Sequence, residues 1–532
     1  MYLYTLRNFK LAVFVECSLT KSTSVPKENY SNKLLIFYQK IKRNQTATLI
    51  LSDMSTMEIP AYVFTVPILV MIILLLVRKN KTKTLNHPPG SYGWPFLGET
   101  LDFLKASKEG KPEKFVKERI EKYKSKIFKT SLMGETMVVL GGTSGNKFLF
   151  SNENKQVTIW WPVTVRKLLG PGLVTSVGEE AKIMRKMLSS FISPDAFSRL
   201  YIKAMEVVGH HHFENYWQGK EKVKVFPLVK LYTFKVACQL FMSLEDNNEI
   251  ERLSAEFNIF LKGLISIPLN LPGTAFYKAM RGATAIRKEL LQFVRKRKEA
   301  LEHKTSSPSQ DILSHLLSCP DENGKFMSEL LIVNNILLLL FAGHDTSSVT
   351  LTLLIKRLAE HPQVYQNVLK EHIEIASAKK DGEFLSWDDI QKMKCSWNVI
   401  SEVMRLTPPI MGAYREAIVD INYEGYHIPK GWKFYWNTAL TSLDPEIFPN
   451  ATSLEPSRFE GAGPTPYTYI PFGGGPRMCI GKEFARLEML VFLHILIRKF
   501  SWKLCVPNER IIYDPMPTPV EGLPVSLQPH SS

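Results

Sequence analysis

The sequence lacks the residue patterns of small metal-binding and disulfide-bonded domains. Its six cysteines are scattered without any C-x-x-C spacing, which disfavours a zinc site or a disulfide framework and fits a reducing compartment. Internal repeats are absent, and so are the glycine-rich fingerprints of flavin- and nicotinamide-binding folds. The chain is therefore not expected to hold a dinucleotide in a domain of its own.

Acidic residues are also fewer than basic ones. The 532-residue chain has 67 Lys and Arg against 51 Asp and Glu, giving a formal net charge of +16. A charge of this size favours nucleic acid, an anionic membrane or an acidic protein as partner. Because the basic residues are dispersed and no nucleic-acid motif is present, we expect a membrane and an acidic protein, and no nucleic acid.

One long stretch without charge lies near the N-terminus, at residues 59–77. As a helix it would span about 28 Å, which matches the hydrocarbon core of a bilayer. Lysines and arginines follow it and acidic residues precede it, so the positive-inside rule places its C-terminal side in the cytosol. We predict a single-pass transmembrane signal anchor here, followed by a basic and proline-rich linker at residues 78–95.

Residues 1–53 precede this anchor and do not show the sequence pattern of a folded domain. They are basic and rich in Ser and Thr, which resembles a transit peptide in composition. The alternative is an upstream extension of the reading frame, with translation starting at Met54 or Met57. We favour the extension, because a membrane anchor follows directly.

The most informative stretch lies near the C-terminus and contains Cys479. It fits the pattern F-x-x-G-x-R-x-C-x-G at every fixed position and reads Phe472-Gly473-Gly474-Gly475-Pro476-Arg477-Met478-Cys479-Ile480-Gly481. Glycines allow backbone conformations that a Cβ would forbid, so this loop, including Gly475 and Gly481, can pass close under a flat cofactor with N–H groups aimed at one sulfur. A lone cysteine is usually a small core residue, but the complete pattern predicts a thiolate metal ligand.

This loop resembles the heme-binding signature of the cytochrome P-450 family, and the similarity extends over residues 88–528. The resemblance implies a mainly α fold with a small β region, a domain at residues 96–528, and heme b as cofactor. It also implies that Cys479 is the axial iron ligand and that Arg477, Arg185 and Arg415 meet the heme propionates. Ala181 departs from the family pattern, which often has Trp or His there, so a second contact from that helix is in doubt.

A long helix beginning near Met327 is predicted to cross the core. The run from Leu331 to Gly343 is almost entirely apolar, and it leads into Ala342-Gly343-His344-Asp345-Thr346-Ser347. Thr346 is expected to bond back to the carbonyl of Ala342, with Gly343 letting the turn open. In the family this motif serves dioxygen activation, so Thr346 and Asp345 are the candidate catalytic residues, with Asp345 relaying protons from the surface.

A buried charge network is predicted from a second motif. Glu402 and Arg405 lie three residues apart on one helix face, and Arg458 follows in Pro456-Ser457-Arg458-Phe459. In the family such residues form a Glu-Arg-Arg network that holds the cysteine loop. Their role here is expected to be structural.

The remaining segments give the surroundings of the site. Residues 127–150 are expected to form short strands, and residues 267–274 form an apolar loop that in the family rests near the membrane. Candidate substrate contacts, assigned by family resemblance and apolar character, are Trp160, Trp161, Ala342, Ile410, Met411 and Thr518.

The resemblance implies a monooxygenase of the endoplasmic reticulum membrane. It would use O2 as co-substrate and electrons from NADPH, delivered by a separate NADPH–cytochrome P-450 reductase. Three segments (residues 397–406, 464–469 and 514–517) look like those of plant oxidases of pentacyclic triterpenes, which suggests a hydrophobic substrate such as β-amyrin. Alternatives are a diterpenoid or sterol hydroxylase, a heme-thiolate isomerase or dehydratase, and a heme-binding scaffold without activity. The intact Asp345–Thr346 pair argues against the last two.

Deleting residues 1–53 tests the assignment of the N-terminal extension. Because residues 59–77 are expected to carry the membrane signal, the shortened protein should keep both its membrane localisation and its activity. Localisation is followed with a fluorescent fusion in plant cells. A shift to another compartment would identify residues 1–53 as a targeting signal.

Overall fold

The computed structural model describes residues 86–189, 191–321, 324–380 and 382–530. The N-terminal extension, the predicted anchor at residues 59–77 and the first part of the linker lie outside these residues. The last residues of the linker pack on the domain, where His87 Nδ1 lies 2.8 Å from the carbonyl oxygen of His427 and its ring stacks on Trp432.

Helices dominate the described chain. Those before the central core are α1 (Thr100–Lys108), α2 (Pro112–Tyr123), α3 (Gly142–Ser151), α4 (Val163–Leu169), α5 (Gly178–Ser189), α6 (Pro194–Ala196) and α7 (Ile202–Tyr216), with a π-helix at Phe197–Tyr201 between α6 and α7. They are followed by α8 (Val225–Met242), α9 (Asn247–Leu261), α10 (Ala275–Glu302), α11 (Ile312–Ser318), α12 (Glu329–Glu360), α13 (Pro362–Ser377), α14 (Trp387–Lys392), α15 (Lys394–Leu406), α16 (Ala439–Ser442) and α17 (Lys482–Lys499).

The strands form one sheet of five and three smaller sheets. They are β1 (Ile127–Leu132), β2 (Glu135–Leu140), β3 (Val157–Ile159), β4 (Lys222–Lys224), β5 (Gly412–Ala417), β6 (Ile421–Tyr423), β7 (Tyr426–Ile428), β8 (Lys433–Asn437), β9 (Phe500–Leu504), β10 (Ile511–Tyr513), β11 (Pro517–Pro519) and β12 (Pro524–Pro529). The largest sheet has the order β1-β2-β8-β5-β3, and only the β2–β8 pair is parallel. The mainly α class with a small β region is therefore confirmed.

The expectation of strands throughout residues 127–150 is only partly right. Strands β1 and β2 are present, but Gly141 and Gly142 end the second, and Gly142 has a φ of +76°. The next residues form α3, whose buried positions Gly145, Leu149 and Phe150 recur at helical spacing. The helix matters for function, because Phe150 lies against the cysteine loop.

The core is centred on α12. This helix begins after Ser328, whose hydroxyl accepts a hydrogen bond from the N–H of Leu331 and so caps the helix. Helices α8 and α12 are long and apolar enough to cross a membrane, yet 61% and 78% of their most apolar windows are buried. They therefore serve as core helices of the folded domain, packed against each other, and α12 also packs against α10 and α17.

Candidate active site

The cysteine loop reaches its position by packing against α3. Gly475 has a φ of +64°, and a Cβ added there would lie 2.2 Å from the carbonyl oxygen of Phe150. A Cβ on Gly474 would lie 2.6 Å from the Phe150 ring. The loop then closes on itself, since the N–H of Cys479 donates to the carbonyl of Phe472 at 2.9 Å. Glycine is thus required at Gly474 and Gly475 by close approach.

Gly481 has a different role from the one we expected. Its φ of −84° is open to any residue, and a Cβ there would stand 3.8 Å from Cys479 Sγ, an ordinary contact. Gly481 is the N-cap of α17, and its N–H is a hydrogen-bond donor to the Cys479 sulfur. Its contribution is therefore a backbone donor at the positive end of a helix, beside the thiol.

The thiol of Cys479 is exposed although protein surrounds it. Burial raises the pKa of Cys479, whereas the Gly481 N–H and the nearby Arg185 lower it, and burial has the largest effect. The expected stabilisation of a free thiolate is thus not achieved by the protein groups alone. A bound metal ion would displace the proton, because the thiolate is the metal-binding form. A cavity of about 570 Å³ adjoins the sulfur, lined in part by Arg185, Phe197 and Glu483.

Three arginines gather near the cysteine loop. The guanidinium of Arg185 donates to the carbonyl of Met478 at 2.8 Å, and Arg477 donates to the carbonyls of Val174 and Ser176 at 3.1 and 2.9 Å. Burial lowers the pKa of Arg477; Glu153 raises it, while Arg415 and Arg185 lower it. Arg415 and Arg185 are therefore both close enough to Arg477 to repel its positive charge.

Glu153 is the carboxylate that contacts this cluster, and no motif in the sequence predicts it. Its Oε2 lies 2.6 Å from Arg415 Nε, and both side chains are buried. Three guanidinium groups facing one carboxylate carry an excess of two positive charges. This excess, beside an accessible thiol, fits a flat cofactor with two acidic substituents and a thiolate-ligated metal.

Helix α12 carries Thr346 and Asp345, the two residues predicted to be catalytic. Ala342 is exposed in the middle of this otherwise buried helix, so that face borders open space inside the fold. The hydroxyl of Thr346 donates to the carbonyl of Ala342 at 2.8 Å, as expected. The α-helix is nevertheless continuous here. A Cβ on Gly343 would lie 3.3 Å from the ring of Phe241 and 3.7 Å from that of Phe484. Gly343 thus allows close helix packing and does not mark an open turn.

Asp345 points away from Thr346, towards α8. Its Oδ1 lies 2.8 Å from Lys230 Nζ and its Oδ2 lies 3.2 Å from His344 Nε2. The Asp345 side chain is 3% exposed, whereas that of Lys230 is 15% exposed. Sequence reasoning missed Lys230, which connects the buried carboxylate with the outside of the domain.

The charged side chains predicted to form a network, Glu402, Arg405 and Arg458, lie close together in the structure. Glu402 receives both Arg405 Nε and Arg405 Nη2 at 2.7 Å, and Arg458 Nε lies 3.4 Å from Glu402 Oε1. Arg405 also donates to the carbonyls of Ser442, Ala451 and Ser453, in the segment that leads to Arg458. The network therefore ties α15 to the long segment before the cysteine loop.

The candidate substrate contacts differ in how much of each side chain is exposed. Trp160 is 9% exposed and packs edge-on against Tyr414, so most of its surface contacts protein, and its contact with substrate stays a prediction. Trp161 is half-buried and its indole N–H donates to the carbonyl of Val174 at 3.1 Å. Ile410 is 39% exposed, and Met411 and Thr518 are half-buried.

Comparison with known proteins agrees with this geometry. A family model described as cytochrome P-450 matches residues 88–522. The chain belongs to the cytochrome P-450 family. It is 50% identical to a beta-amyrin 28-monooxygenase of Saponaria officinalis over 86% of this chain and 95% of the relative, and likewise to one of Vitis vinifera. A solved structure of a retinoic acid bound cyanobacterial CYP120A1 matches with a TM-score of 0.76 and 34% identity, covering 84% of this chain and all of that one.

Membership of this family establishes the type of reaction. Cytochromes P-450 bind heme b and use O2 together with electrons that a reductase transfers from NADPH. The protein is accordingly an oxidoreductase that incorporates oxygen from O2. The thiol and the three arginines described above fit this cofactor.

The variant Glu402→Gln tests the buried charge network. It keeps the shape of the side chain but leaves Arg405 without a counter-charge in the core, which should cost about 3–5 kcal/mol of unfolding free energy. Thermal unfolding of the purified protein measures the loss. The matched control is Glu374→Gln, which breaks an exposed pair with Lys370 and should cost less than about 1 kcal/mol. Equal effects of the two substitutions would contradict a structural role for Glu402.

Proposed function

We propose that this protein oxidises a pentacyclic triterpene, β-amyrin or a close relative of it, as a heme-thiolate monooxygenase. The observation that carries the proposal is 50% identity to several beta-amyrin 28-monooxygenases along nearly their whole length. The product would be an alcohol, and successive rounds on one methyl group would give an aldehyde and then an acid.

Cys479 would hold the heme iron, and the arginines would hold the heme's acidic groups. Arg185 bonds the carbonyl of Met478 inside the cysteine loop, and Arg477 bonds the carbonyl of Ser176 just before α5, which fixes their guanidinium groups. Arg415 would share its charge between Glu153 and the cofactor. Phe472 closes the loop through its carbonyl, and Gly475 and Gly481 set its backbone and its donor to sulfur. When bound, the heme supplies activation of O2 for insertion of one oxygen atom into a C–H bond.

Thr346 and Asp345 would manage protons in this site. The Thr346 hydroxyl, held by the Ala342 carbonyl, lies on the open face of α12 and can donate or accept a hydrogen bond there. Asp345, paired with Lys230, would take up protons from the surface of the domain, and they would then pass to Thr346. Because the two side chains point in different directions, we propose that water molecules connect them.

The substrate would contact Trp161, Ala342, Ile410, Met411 and Thr518. These side chains are largely apolar, so they would exclude water and bind a polycyclic hydrocarbon through its surface area. A diterpenoid or a sterol remains the alternative substrate, since an apolar cavity discriminates weakly among such skeletons. An isomerase or dehydratase would not need the Thr346 hydroxyl on the open face.

We further propose the cellular setting. Residues 59–77 would anchor the protein once in the endoplasmic reticulum membrane, with residues 96–528 in the cytosol beside the reductase. Support comes from the uncharged length of this segment and the lysines and arginines after it.

Product formation from β-amyrin tests the substrate. The full chain is co-expressed in yeast with a β-amyrin-forming synthase and a plant NADPH–cytochrome P-450 reductase, and extracts are analysed by mass spectrometry and NMR. We expect an oxygenated triterpene that disappears with Cys479→Ala, since that variant should also lose the carbon monoxide band near ~450 nm typical of thiolate-ligated heme. Absence of product from a protein with a normal band would contradict this substrate.

The variant Thr346→Ala tests the proton route. Removing the hydroxyl should lower the ratio of product formed to NADPH consumed by about 10- to 100-fold, with hydrogen peroxide accumulating instead. Thr346→Ser retains a hydroxyl and serves as the matched control, with most of the coupling preserved. A normal ratio in Thr346→Ala would show that the hydroxyl takes no part.

A further inference from the structure

Two histidines face each other in the core between α13 and α17. His372 is 0% exposed and His494 is 2% exposed, and their Nδ1 atoms lie 2.9 Å apart. Neither residue belongs to the candidate active site. Two imidazole nitrogens at this distance form a hydrogen bond only when one carries a hydrogen and the other does not. The contact therefore constrains where each ring carries its hydrogen.

Arg498, one turn after His494 on α17, determines the arrangement. Its Nη1 atom lies 3.1 Å from His494 Nε2. A guanidinium group donates hydrogen bonds and cannot accept them, so Nε2 of His494 must be the acceptor. A neutral His494 then carries its hydrogen on Nδ1 and donates it to Nδ1 of His372.

The hydrogen of His372 is therefore on Nε2, which lies 3.0 Å from the hydroxyl oxygen of Ser396 on α15. The Ser396 hydroxyl in turn donates to Glu371 Oε2. Glu371 also accepts the backbone N–H groups of Cys395 and Ser396 at 2.7 and 2.9 Å. The hydrogen bonds thus end at a carboxylate that binds the first turn of α15.

These side chains form one directed series of hydrogen bonds, in which each group donates to the next. We call it the histidine chain, and its members are Arg498, His494, His372, Ser396 and Glu371. It connects three helices, α17, α13 and α15. Helix α17 begins at Lys482, shortly after Cys479, and α15 carries Glu402 of the buried charge network. The histidine chain therefore joins the helix that follows the cysteine loop to the helix that carries the charge network.

One further proton on either histidine would break this series. A protonated imidazole donates from both of its nitrogens and accepts at neither. A proton added to His494 would direct Nε2–H at Arg498, and one added to His372 would direct Nδ1–H at His494. In both cases a donor would face a donor. The histidine chain is therefore complete only while both rings are neutral.

The surroundings favour the neutral rings. Burial lowers the pKa of His372 to about 3, and Arg498 lowers it as well. Burial also lowers the pKa of His494 to about 2; His372, Arg498 and His210 on α7 lower it too, whereas Asp389 on α14 raises it. In the unfolded chain a histidine has a pKa of about 6.5. The stabilisation from neutral rings is therefore complete above about pH 6.5 and is lost progressively as the pH falls from there towards about 3.

We propose that the histidine chain is an acid-sensitive connection, which holds α17 against α13 and α15 while both rings are neutral and releases it when they take up protons. The start of α17 includes Gly481, whose N–H is the donor to the Cys479 sulfur. Release would therefore loosen the helix on which the geometry around the thiol depends. This inference goes beyond the proposed function and does not depend on the substrate.

The first test is urea unfolding of the heme-loaded full chain at several pH values between about 5 and 7.5, followed by circular dichroism. His494→Asn places an amide N–H where Nδ1–H was, so it can still donate to His372 but cannot take up a proton. Because wild-type His494 takes up a proton only on unfolding, the unfolding constant of the wild-type protein should rise about tenfold more per pH unit below about pH 6 than that of His494→Asn. Equal slopes would overturn the proposal.

The matched control is His211→Asn. His211 is exposed on α7, so water solvates it in the folded as in the unfolded chain, and its removal should keep the wild-type slope. If His494→Asn does not fold, Arg498→Met takes its place, at an exposed position. Arg498 lowers the pKa of both histidines, so removing it should weaken the fold at neutral pH and make the pH slope shallower. An unchanged slope in Arg498→Met would contradict the proposal.

The second test locates the release by hydrogen exchange. From about pH 7.5 to about pH 5.5, the exchange of α17 amides in the wild-type protein should increase about tenfold relative to the same amides in His494→Asn. Amides of α10, which has no member of the histidine chain, should show no such difference. An equal increase in α10 and α17 would show that acid weakens the fold as a whole, and would overturn the connection. Neither test uses a substrate, so failure to oxidise β-amyrin would contradict the proposed function alone.

Discussion

The position of the cysteine loop depends on the close approach of Gly474 and Gly475 to Phe150. This approach holds the loop against α3 while the thiol of Cys479 stays exposed. A Cβ at Gly474 or Gly475 would collide with Phe150, so any side chain there would push the loop away from α3. The loop leads directly into α17, whose later residues are deeply buried. The sulfur thus lies between a glycine turn packed on Phe150 and a buried core helix, and it is still accessible.

Charge balance imposes a second constraint around the same loop. Arg415 and Arg185 lower the pKa of Arg477, and Glu153 is the carboxylate that raises the pKa of both Arg477 and Arg415. Such an arrangement is unfavourable unless further negative charge is present. Binding of a dianionic cofactor would therefore stabilise the folded domain as well as equip it for chemistry, by the general linkage between ligand binding and stability.

Local motifs were predictable from the sequence, and contacts between distant segments were not. The Thr346–Ala342 hydrogen bond and the Glu402–Arg405 pair follow from helical spacing, because three or four residues bring side chains together on one face. Glu153 and Lys230 contact Arg415 and Asp345 only through the packing of separate elements. Gly343 shows the converse: the sequence predicted an open turn, but the helix is continuous there and the glycine packs against Phe241 and Phe484 from other helices.

The same distinction applies to the contacts that α12 makes before its catalytic motif. Residues that serve chemistry common to the family sit in short motifs, whereas Asn334 and Asn335 join α12 to α10 and to the segment between α4 and α5 without any fixed spacing. Asn335 accepts the backbone N–H of Leu173, so this contact does not depend on the Leu173 side chain. Arg477 bonds the carbonyls of Val174 and Ser176 in the same segment. One stretch of backbone therefore connects the core helix α12 with the arginine beside Cys479.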